Sequence, residues 1–295
     1  MNQQFLTELK AVTAENRIFT DEPMKKHTTF RVGGPADILV QPKGTELAAV
    51  IRLCRKYDVP YQVIGNGSNL LVGDRGIRGL VIEMLSKEDE ICVEDDCITV
   101  GAGMLLSKTA NRAAEHGLTG MEFAAGIPGR IGGAVVMNAG AYGGEMKDIL
   151  TAVTVLDQEG NEKILSAEEL ELGYRTSCIL KKGYIVTGAK IKLKHGEETA
   201  IRARMEELKK QRVEKQPLEY PSAGSTFKRP EGYFAGKLIM DAGLRGYLVG
   251  EAQVSEKHCG FVINRGNATA ADVRTLMQNV ADIVEEKFGV RLEPE

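Results

Sequence analysis

The sequence predicts an α+β fold in two parts, and three observations support this prediction. Strand-like and helix-like apolar patterns alternate along the 295 residues, but without the regular strand–helix–strand rhythm of a doubly wound sheet. Two glycine-rich stretches, at 64–69 and 126–144, interrupt the alternation. Pro217 and Pro221 break the chain after a charged segment, which indicates a domain boundary there.

The first half is predicted to contain short helices and strands. Residues 1–20 indicate a short helix and a connector. A second helix is expected to begin at Thr45, its predicted N-cap, and to end before Pro60. Strands are predicted at 61–64, 69–72, 79–84 and 97–100, followed by a helix over 104–116 that Gly117 caps.

The second half begins with strands predicted at 150–157 and 184–193 and a short helix after Ser166, where Glu169 completes a capping-box pattern. We interpret residues 196–216 as a charged helix with a solvated surface, and a phosphate-binding face is the alternative. Further predictions are helices at 234–242 and 270–287 and strands at 250–254, 259–264 and 290–292. The long helix has an apolar stripe that predicts core packing: Val273, Leu276, Met277, Val280, Ile283 and Val284.

The longer glycine-rich stretch is the strongest functional signal. It has seven glycines in the nineteen residues from Gly126 to Gly144, a composition that argues against an ordinary helix or strand. Because glycine loses the most backbone entropy on ordering, such a run is favoured where the backbone must approach something closely. A phosphate-bearing ligand held by backbone N–H groups fits this requirement, and a tight turn between packed elements is the alternative.

The shorter stretch, Ile64 to Asn69, is predicted to be a polar turn between two strands. It is not a Rossmann fingerprint, because Leu70 stands where the third glycine belongs and no helix follows. The segment from Gly232 to Lys237 is one residue too short for a Walker A loop and lacks its Ser/Thr. A nucleotide would therefore bind through another scaffold.

Composition excludes several other classes of protein. The 38 basic and 41 acidic residues give a net charge of −3, and no basic block indicates a nucleic-acid surface. We expect neither a signal peptide nor a membrane span, since no apolar run is suitable. The five scattered cysteines indicate free thiols in the cytoplasm, and the four isolated histidines predict no metal site.

Six motifs, in this order, resemble those of the UDP-N-acetylenolpyruvoylglucosamine reductases, the MurB family. They are KHTTFRVGGPAD (26–37), GNGSNLLV (65–72), GIPGRIGGAVVMNAGAYG (126–143), YRTS (174–177), SAGSTFKRP (222–230) and LEPE (292–295). The resemblance spans nearly the whole chain. The short segment between Lys237 and Lys257 is similar to the family's short, type II form, which lacks a tyrosine-bearing loop.

The resemblance implies a two-lobed FAD-binding unit of the vanillyl-alcohol-oxidase/PCMH type and a C-terminal α+β substrate-binding domain. The implied boundaries are 1–25 for an N-terminal helix and connector, 26–195 for the FAD-binding domain with lobes at about 26–85 and 86–195, and 196–295 for the substrate-binding domain. It also implies non-covalent FAD, with its pyrophosphate on the two glycine stretches. The implied FAD contacts are Ile64, Gly65, Asn66, Gly67, Ser68, Asn69, Gly126, Ile127, Pro128, Gly129, Gly132, Gly133, Ala134, Asn138, Ala139 and Gly140.

The family's reaction gives three residues an implied catalytic role. NADPH reduces FAD, and hydride then passes to the enolpyruvyl β-carbon of UDP-N-acetylglucosamine enolpyruvate, which forms UDP-N-acetylmuramate for peptidoglycan. The resemblance implies that Ser225 donates a proton to the α-carbon and that Arg175 binds the carboxylate or enolate oxygen. A glutamate of LEPE assists, and the register favours Glu295 over Glu293, although the family pattern continues with Val-Arg where this chain stops. Without the motifs, Ser225 would be interpreted as a turn residue and Arg175 as a surface cation.

Four more residues are implied to bind substrate: Tyr174, Lys228, Arg229 and His258. Arg229 departs from an asparagine common in the family, and His258 is equally well explained as a strand-end histidine.

We expect a cytoplasmic monomer that takes the UDP-sugar and NADPH and binds neither nucleic acid nor membrane. The alternatives are a flavin oxidase or dehydrogenase of the same fold acting on another substrate, and a non-catalytic nucleotide-binding module.

Overall fold

The computed structural model describes residues 3–86 and 91–295. Residues 1–2 of the predicted N-terminal segment and 87–90 of the predicted second lobe lie outside the described residues. The helices are α1 (Gln3–Val12), α2 (Gly44–Lys56), α3 (Leu106–Glu115), α4 (Ile131–Val136), α5 (Cys178–Lys182), α6 (Glu198–Lys215), α7 (Ala235–Asp241) and α8 (Ala270–Phe288). The strands are β1 (Ile18–Pro23), β2 (Pro35–Val40), β3 (Tyr61–Ile64), β4 (Ile77–Glu83), β5 (Ile91–Glu94), β6 (Cys97–Gly101), β7 (Leu118–Thr119), β8 (Gly140–Ala141), β9 (Gly144–Glu145), β10 (Leu150–Leu156), β11 (Glu162–Ser166), β12 (Ile185–Lys192), β13 (Lys194–His195), β14 (Ser222–Ser225), β15 (Leu248–Val249), β16 (Ala252–Val254) and β17 (Phe261–Asn264).

The chain divides into two compact units, neither of which is continuous in sequence. The first unit comprises Met1–Thr20, Ile38–Gly65 and Gly79–Gln211, and the second comprises Asp21–Asp37, Asn66–Arg78 and Arg212–Glu295. The shorter glycine stretch therefore changes unit between Gly65 and Asn66. The domain boundaries expected from the sequence stay a prediction.

The first unit is built around an antiparallel five-stranded sheet with the order β11-β10-β12-β6-β5. Leu106 of α3, Val135 of α4 and Val153 of β10 are fully buried in the core beside this sheet. A second core contains α1 and α2 together with β4, with Phe5, Leu47 and Ile82 fully buried. In the four-stranded sheet β1-β2-β4-β3, strands β3 and β4 run parallel, and the shorter glycine stretch begins at the end of the edge strand β3.

The second unit has an antiparallel sheet with the order β14-β17-β16-β15 and the long helix α8. The predicted apolar stripe of α8 is confirmed, because four of its members are fully buried and two are partly buried in the core: Val273, Leu276, Val280, Val284, Met277 and Ile283. Thr269 caps the helix with a reciprocal bond to Asp272, and Gly289 ends it in the left-handed conformation at φ 68°.

Several predicted elements are wrong. The strands expected at 69–72 and 290–292 are not strands, since neither segment enters a sheet. The segment after Ser166 is a turn and not a helix, although the Ser166 N–H does donate to the Glu169 carboxylate at 2.8 Å. A capping-box pattern can therefore be satisfied by a turn when no helix follows. The N-cap of α2 is Lys43 and not Thr45, because Glu46 accepts the Lys43 N–H at 2.9 Å.

The longer glycine stretch contains the short helix α4, which contradicts the expectation of an irregular segment. The helix lies close to the chain that follows β6, and a Cβ at Gly132 would approach the Ala102 Cβ to 3.1 Å. Gly132 also donates its N–H to the Ala102 carbonyl at 2.8 Å. Glycine is thus tolerated in this helix because it permits the close packing of backbone on backbone.

Candidate active site

In the first unit, the shorter glycine stretch starts directly after β3. Ile64 pairs with Glu83 in the parallel ladder, and its carbonyl accepts the Met84 N–H at 2.9 Å. The N–H of Gly65 has no acceptor among the described residues. A Cβ at Gly65 would lie 3.3 Å from the Arg130 Cβ, so this position brings the open backbone next to an arginine.

In the second unit, the remainder of that stretch folds against the segment that follows β1. The Gly67 carbonyl accepts the Thr29 N–H at 3.2 Å, and a Cβ at Gly67 would collide with the His27 carbonyl oxygen at 2.0 Å. Gly67 also has φ 57°, which favours glycine. Within the described chain, no acceptor takes the N–H groups of Gly67, Ser68 and Asn69. These three donors are available to a ligand.

The longer stretch offers fewer backbone donors than its length suggests. Five of its implied cofactor contacts donate their N–H within the protein: Ile127, Gly132, Ala134, Asn138 and Ala139. Pro128 has no N–H, and Gly140 lies in β8. The N–H groups of Gly126, Gly129 and Gly133 have no acceptor in the described part of the chain. Gly133 is exposed, and apart from its own helix and chain neighbours no heavy atom of the described residues would lie within 4 Å of a Cβ placed there.

Arg130 is a candidate ligand-binding residue that is not among the residues expected from the sequence. Its Nη1 donates to the Gly103 carbonyl at 2.6 Å, whereas its buried Nε has no hydrogen-bond partner in residues 3–86 and 91–295. Burial lowers the pKa of the Arg130 guanidinium, and the nearby Glu83 carboxylate partly opposes that effect. A buried, incompletely paired cation beside unoccupied glycine N–H groups is suited to an anionic ligand such as a pyrophosphate. The only signal in the sequence was a long side chain within a run of glycines.

Arg175 lies at the tip of a tight turn in the first unit. Gly173 and Thr176 close the turn by exchanging backbone hydrogen bonds at 3.1 and 3.3 Å, and Arg175 has φ 55°. The guanidinium lies over the Tyr174 ring, 5.1 Å from its centroid, and Tyr174 is 55% exposed. Arg175, implied to bind the carboxylate or enolate oxygen, and Tyr174, implied to bind substrate, are therefore stacked on each other at the tip of this turn.

Ser225 ends strand β14 of the second unit at an irregular position. Ser222 pairs with Ile263 and Ser225 with Phe261, so the ladder contains a bulge that includes Gly224 at φ 85°. Bulges commonly redirect a side chain out of a regular strand. The Ser225 side chain is exposed.

The C-terminal segment pairs with the residues that follow Ser225. Phe227 and Pro294 form an antiparallel bridge, the Glu295 N–H donates to the Thr226 carbonyl at 3.0 Å, and the Asn69 amide lies 3.5 Å from the Glu295 carbonyl oxygen. The Glu293 carboxylate instead forms an ion pair with Lys228 at 3.2 Å. The structure thus brings Glu295 next to Thr226, one residue from Ser225.

The remaining two implied substrate contacts are also in the second unit. The Arg229 guanidinium lies 4.1 Å from the centroid of the Phe234 ring, and that ring is 62% exposed. His258 accepts the Gly260 N–H on Nδ1 at 3.1 Å, so the neutral ring carries its proton on Nε2. Burial lowers the pKa of the His258 imidazole, and its ring packs edge-on against Phe261.

All five cysteines are free, as predicted. Among the described side chains, no three His, Cys, Asp or Glu residues are grouped so that they could hold a metal ion. None of the helices formed by residues 3–86 and 91–295 combines the length and the apolar composition needed to span a bilayer.

Comparison with known proteins gives full-length relatives. A UDP-N-acetylenolpyruvoylglucosamine reductase from Agathobacter rectalis is 56% identical over 307 aligned residues, which cover 100% of this chain and 98% of the relative. The chain belongs to the UDP-N-acetylenolpyruvoylglucosamine reductase family. A second reductase of this name, from Lachnoclostridium phytofermentans, is also 56% identical and covers 100% of this chain and 97% of its own length.

Family models and a solved structure agree with the membership in the UDP-N-acetylenolpyruvoylglucosamine reductase family. Residues 36–166 match the FAD-binding domain, and residues 216–295 match the C-terminal domain of the reductases. The crystal structure of the MurB reductase from Thermus caldophilus superimposes with a TM-score of 0.79 at 42% identity, over 92% of this chain and 96% of that one. The predicted FAD-binding unit with a C-terminal α+β domain is confirmed. The chain is an FAD-dependent oxidoreductase of the MurB family.

Proposed function

We propose that this chain reduces UDP-N-acetylglucosamine enolpyruvate to UDP-N-acetylmuramate with NADPH, in the cytoplasmic synthesis of peptidoglycan precursors. The observation that carries the proposal is full-length similarity to reductases of this name, with every functional motif present. FAD is proposed to bind without a covalent link. The short type II form, a monomeric state and the residue roles below belong to the same proposal.

The donor groups of the glycine stretches fit an FAD pyrophosphate. The N–H groups of Gly129 and Gly133 have no acceptor among the described residues, and Arg130 lies between these two glycines in sequence. In the first unit, these N–H groups and the Arg130 guanidinium would hold phosphate oxygens. In the second unit, the N–H groups of Gly67 and Ser68 offer the same chemistry. When bound, FAD would accept a hydride from NADPH and supply it to the enolpyruvyl β-carbon.

Arg175 is proposed to bind the carboxylate of the enolpyruvyl group. Addition of hydride at the β-carbon leaves negative charge on the α-carbon, and this charge spreads into the carboxylate. A guanidinium stays ionised at any working pH and can meet both carboxylate oxygens at once. Its position at the tip of an exposed turn, beside Tyr174, supports contact with a ligand.

Ser225 is proposed to donate the proton that completes the reaction at the α-carbon. The bulge in β14 leaves its hydroxyl exposed, as a proton donor requires. Pairing of the C-terminal segment with Thr226 supports Glu295, rather than Glu293, as the assisting carboxylate. Lys228, Arg229 and His258 are proposed to bind the diphosphate and sugar.

The test of the overall reaction is an anaerobic visible spectrum of the purified protein. The protein should be yellow, lose colour when NADPH is added, and regain it when UDP-N-acetylglucosamine enolpyruvate follows. Flavin that stays attached after denaturation would favour an oxidase or dehydrogenase of the same fold. Colourless protein that takes up no FAD would overturn the proposal.

The proton-donor role predicts that Ser225→Ala separates the two halves of the reaction. Reduction by NADPH should proceed at the wild-type rate, whereas reoxidation by the UDP-sugar should slow by about 100-fold or more, because a positioned general acid typically contributes that much. Stopped-flow absorbance measures both rates. Ser222→Ala, in the same strand, is the matched control and should leave both unchanged. Wild-type reoxidation in Ser225→Ala would show that another group donates the proton.

A further inference from the structure

The turn that carries Arg175 is held at both ends by the longer glycine stretch. Before the turn, the Gly173 carbonyl accepts a hydrogen bond from the Asn138 side-chain amide at 3.1 Å. After the turn, the Ser177 hydroxyl donates to the Val136 carbonyl at 2.8 Å. Asn138 is 1% exposed and Ser177 is fully buried, so solvent does not compete for either bond.

The orientation of the Asn138 side chain is determined by two further bonds. Its Oδ1 accepts the Lys147 N–H at 2.9 Å, and its Nδ2 also donates to the Glu145 carboxylate at 2.7 Å. The amide nitrogen must therefore face Gly173. Asn138 has φ 42°, a left-handed conformation that asparagine adopts more readily than most residues.

Arg175 needs such support because its own backbone is strained. A non-glycine residue at φ 55° is unfavourable unless its surroundings maintain it. Two backbone bonds between Gly173 and Thr176 close the turn, and its tip carries an exposed tyrosine. The outer bonds from Asn138 and Ser177 fix the two ends of the turn, and with them the direction in which Arg175 leaves the chain.

We propose that Asn138 is a positioning residue for Arg175, and that Ser177 assists it from the other end of the turn. The inference rests on the proposed function, in which Arg175 binds the substrate carboxylate. Because the stretch that holds Asn138 also presents the open N–H groups of Gly129 and Gly133, one segment sets both the proposed cofactor contacts and the arginine. The proposed role of Asn138 belongs to its buried side chain, which donates to the Gly173 carbonyl.

Asn138→Asp tests the inference with minimal change of shape. The aspartate keeps the acceptor for the Lys147 N–H, but it places an oxygen where the amide donated to Gly173 and Glu145. We expect reoxidation by the UDP-sugar to slow by about 100-fold, since a displacement of about 1 Å in a positioned group has that effect. Both half-reactions are measured per bound flavin, so that any loss of FAD is separated from the loss of reoxidation by the UDP-sugar.

Glu145→Gln is the matched control, because its amide oxygen still accepts from Asn138. It should reoxidise at the wild-type rate. In an Arg175→Ala background, Asn138→Asp should cause no further loss, since a residue that acts only through Arg175 has nothing left to position. Full additive loss in the double variant would overturn the inference.

A second readout does not depend on substrate. The chain contains no tryptophan, so Tyr174→Trp places a single fluorescent reporter on the turn. Asn138→Asp in this background should increase the fast component of the tryptophan anisotropy decay, and Glu145→Gln should not. Ser177→Ala provides the same test from the other end if Asn138→Asp folds poorly.

The two readouts separate the possible failures. A wild-type protein that never reduces the UDP-sugar would refute the proposed function, and the anisotropy would still decide the role of Asn138. An Asn138→Asp protein with unchanged anisotropy and unchanged reoxidation would overturn the inference, even if its melting temperature fell, because that result describes a purely structural residue.

Discussion

Gly67 and Gly133 are glycines for different physical reasons. At Gly67 the fold requires glycine, because a Cβ would lie 2.0 Å from the His27 carbonyl oxygen and φ is 57°. At Gly133 the protein itself imposes no such requirement, since the position is exposed, helical and free of neighbours within 4 Å. The glycine at position 133, within the longer glycine stretch and close to Arg130 in sequence, therefore fits the proposed approach of FAD to this backbone.

Gly133→Ala is therefore expected to weaken FAD binding without harming the fold. Alanine is favoured over glycine in a helix by up to about 1 kcal/mol, so the melting temperature of the FAD-free protein should stay the same or rise. The added Cβ should obstruct the cofactor and reduce its affinity at least about tenfold, or 1.4 kcal/mol. Flavin fluorescence titration measures the affinity.

Gly44→Ala is the control for this substitution. Gly44 is also in a helix and has no neighbour within 4 Å, but it lies in α2, outside both glycine stretches. The variant should bind FAD as the wild type does. If Gly133→Ala bound FAD equally well, the cofactor would not approach this part of the backbone.

At the scale of elements, the hairpin of β10 and β11 depends on one carboxylate. Asp157 accepts the N–H groups of Asn161 and Glu159 at 2.9 and 3.0 Å, and it pairs with Lys163 at 3.1 Å. The hydrogen bond from the Asn161 backbone is the largest influence, and together these groups lower the pKa of Asp157 from 3.8 to about 2. The ionised side chain thus organises the turn.

This carboxylate should make a pH-dependent contribution to stability. Because its folded pKa is lowered, the contribution is complete above the unfolded pKa of about 4 and is lost as the pH falls through about 2. Asp157→Asn removes it at all pH values. The difference in unfolding free energy between wild type and variant should be constant above about pH 5 and narrow between pH 4 and 2.

Urea denaturation at a series of pH values measures this difference. A gap that remained constant down to pH 2 would mean that Asp157 is not held ionised by the hairpin. If the difference in unfolding free energy between wild type and variant increased as the pH fell, the pKa of Asp157 would have to be raised in the folded protein and not lowered.

At the scale of the whole molecule, the second unit combines segments that are far apart in sequence. The Thr29 hydroxyl donates to the Ser222 carbonyl at 2.7 Å, and the Asn264 amide donates to the Phe30 carbonyl at 3.2 Å. Asp74 accepts the N–H groups of Ala270 and Ala271 at the start of α8, at 2.8 and 2.9 Å. Phe30 and Val32 also enter the core of this unit.

A fragment of residues 212–295 should therefore not fold alone. It lacks the core side chains of Phe30 and Val32, the Asp74 carboxylate that binds the start of α8, and the Thr29 hydroxyl that donates to the Ser222 carbonyl. The fragment therefore leaves apolar surface exposed and polar groups without their hydrogen bonds. Circular dichroism should show no cooperative thermal transition, and amide signals in NMR should be poorly dispersed. A cooperative transition in the fragment, comparable with that of the full chain, would show that the two N-terminal segments are dispensable.

The sequence by itself determined the local elements and the family. The apolar stripe of α8, the strands at 61–64 and 97–100, and the helix-ending Gly117 follow from patterns within a few residues. The motifs identified an FAD-dependent reductase, because they are long and occur in a defined order. The strands expected at 69–72 and 290–292 were wrong because an apolar run does not show whether a partner strand is available.

Only the tertiary structure decided how distant groups meet. It placed the aliphatic part of the Arg130 side chain beside Gly65, joined Asn138 and Ser177 to the turn of Arg175, and paired the C-terminal segment with Thr226. No pattern within a short stretch of sequence encodes these contacts. They depend on loop closures over tens to hundreds of residues, and the free energy of such contacts comes from burial and hydrogen bonding in the assembled core.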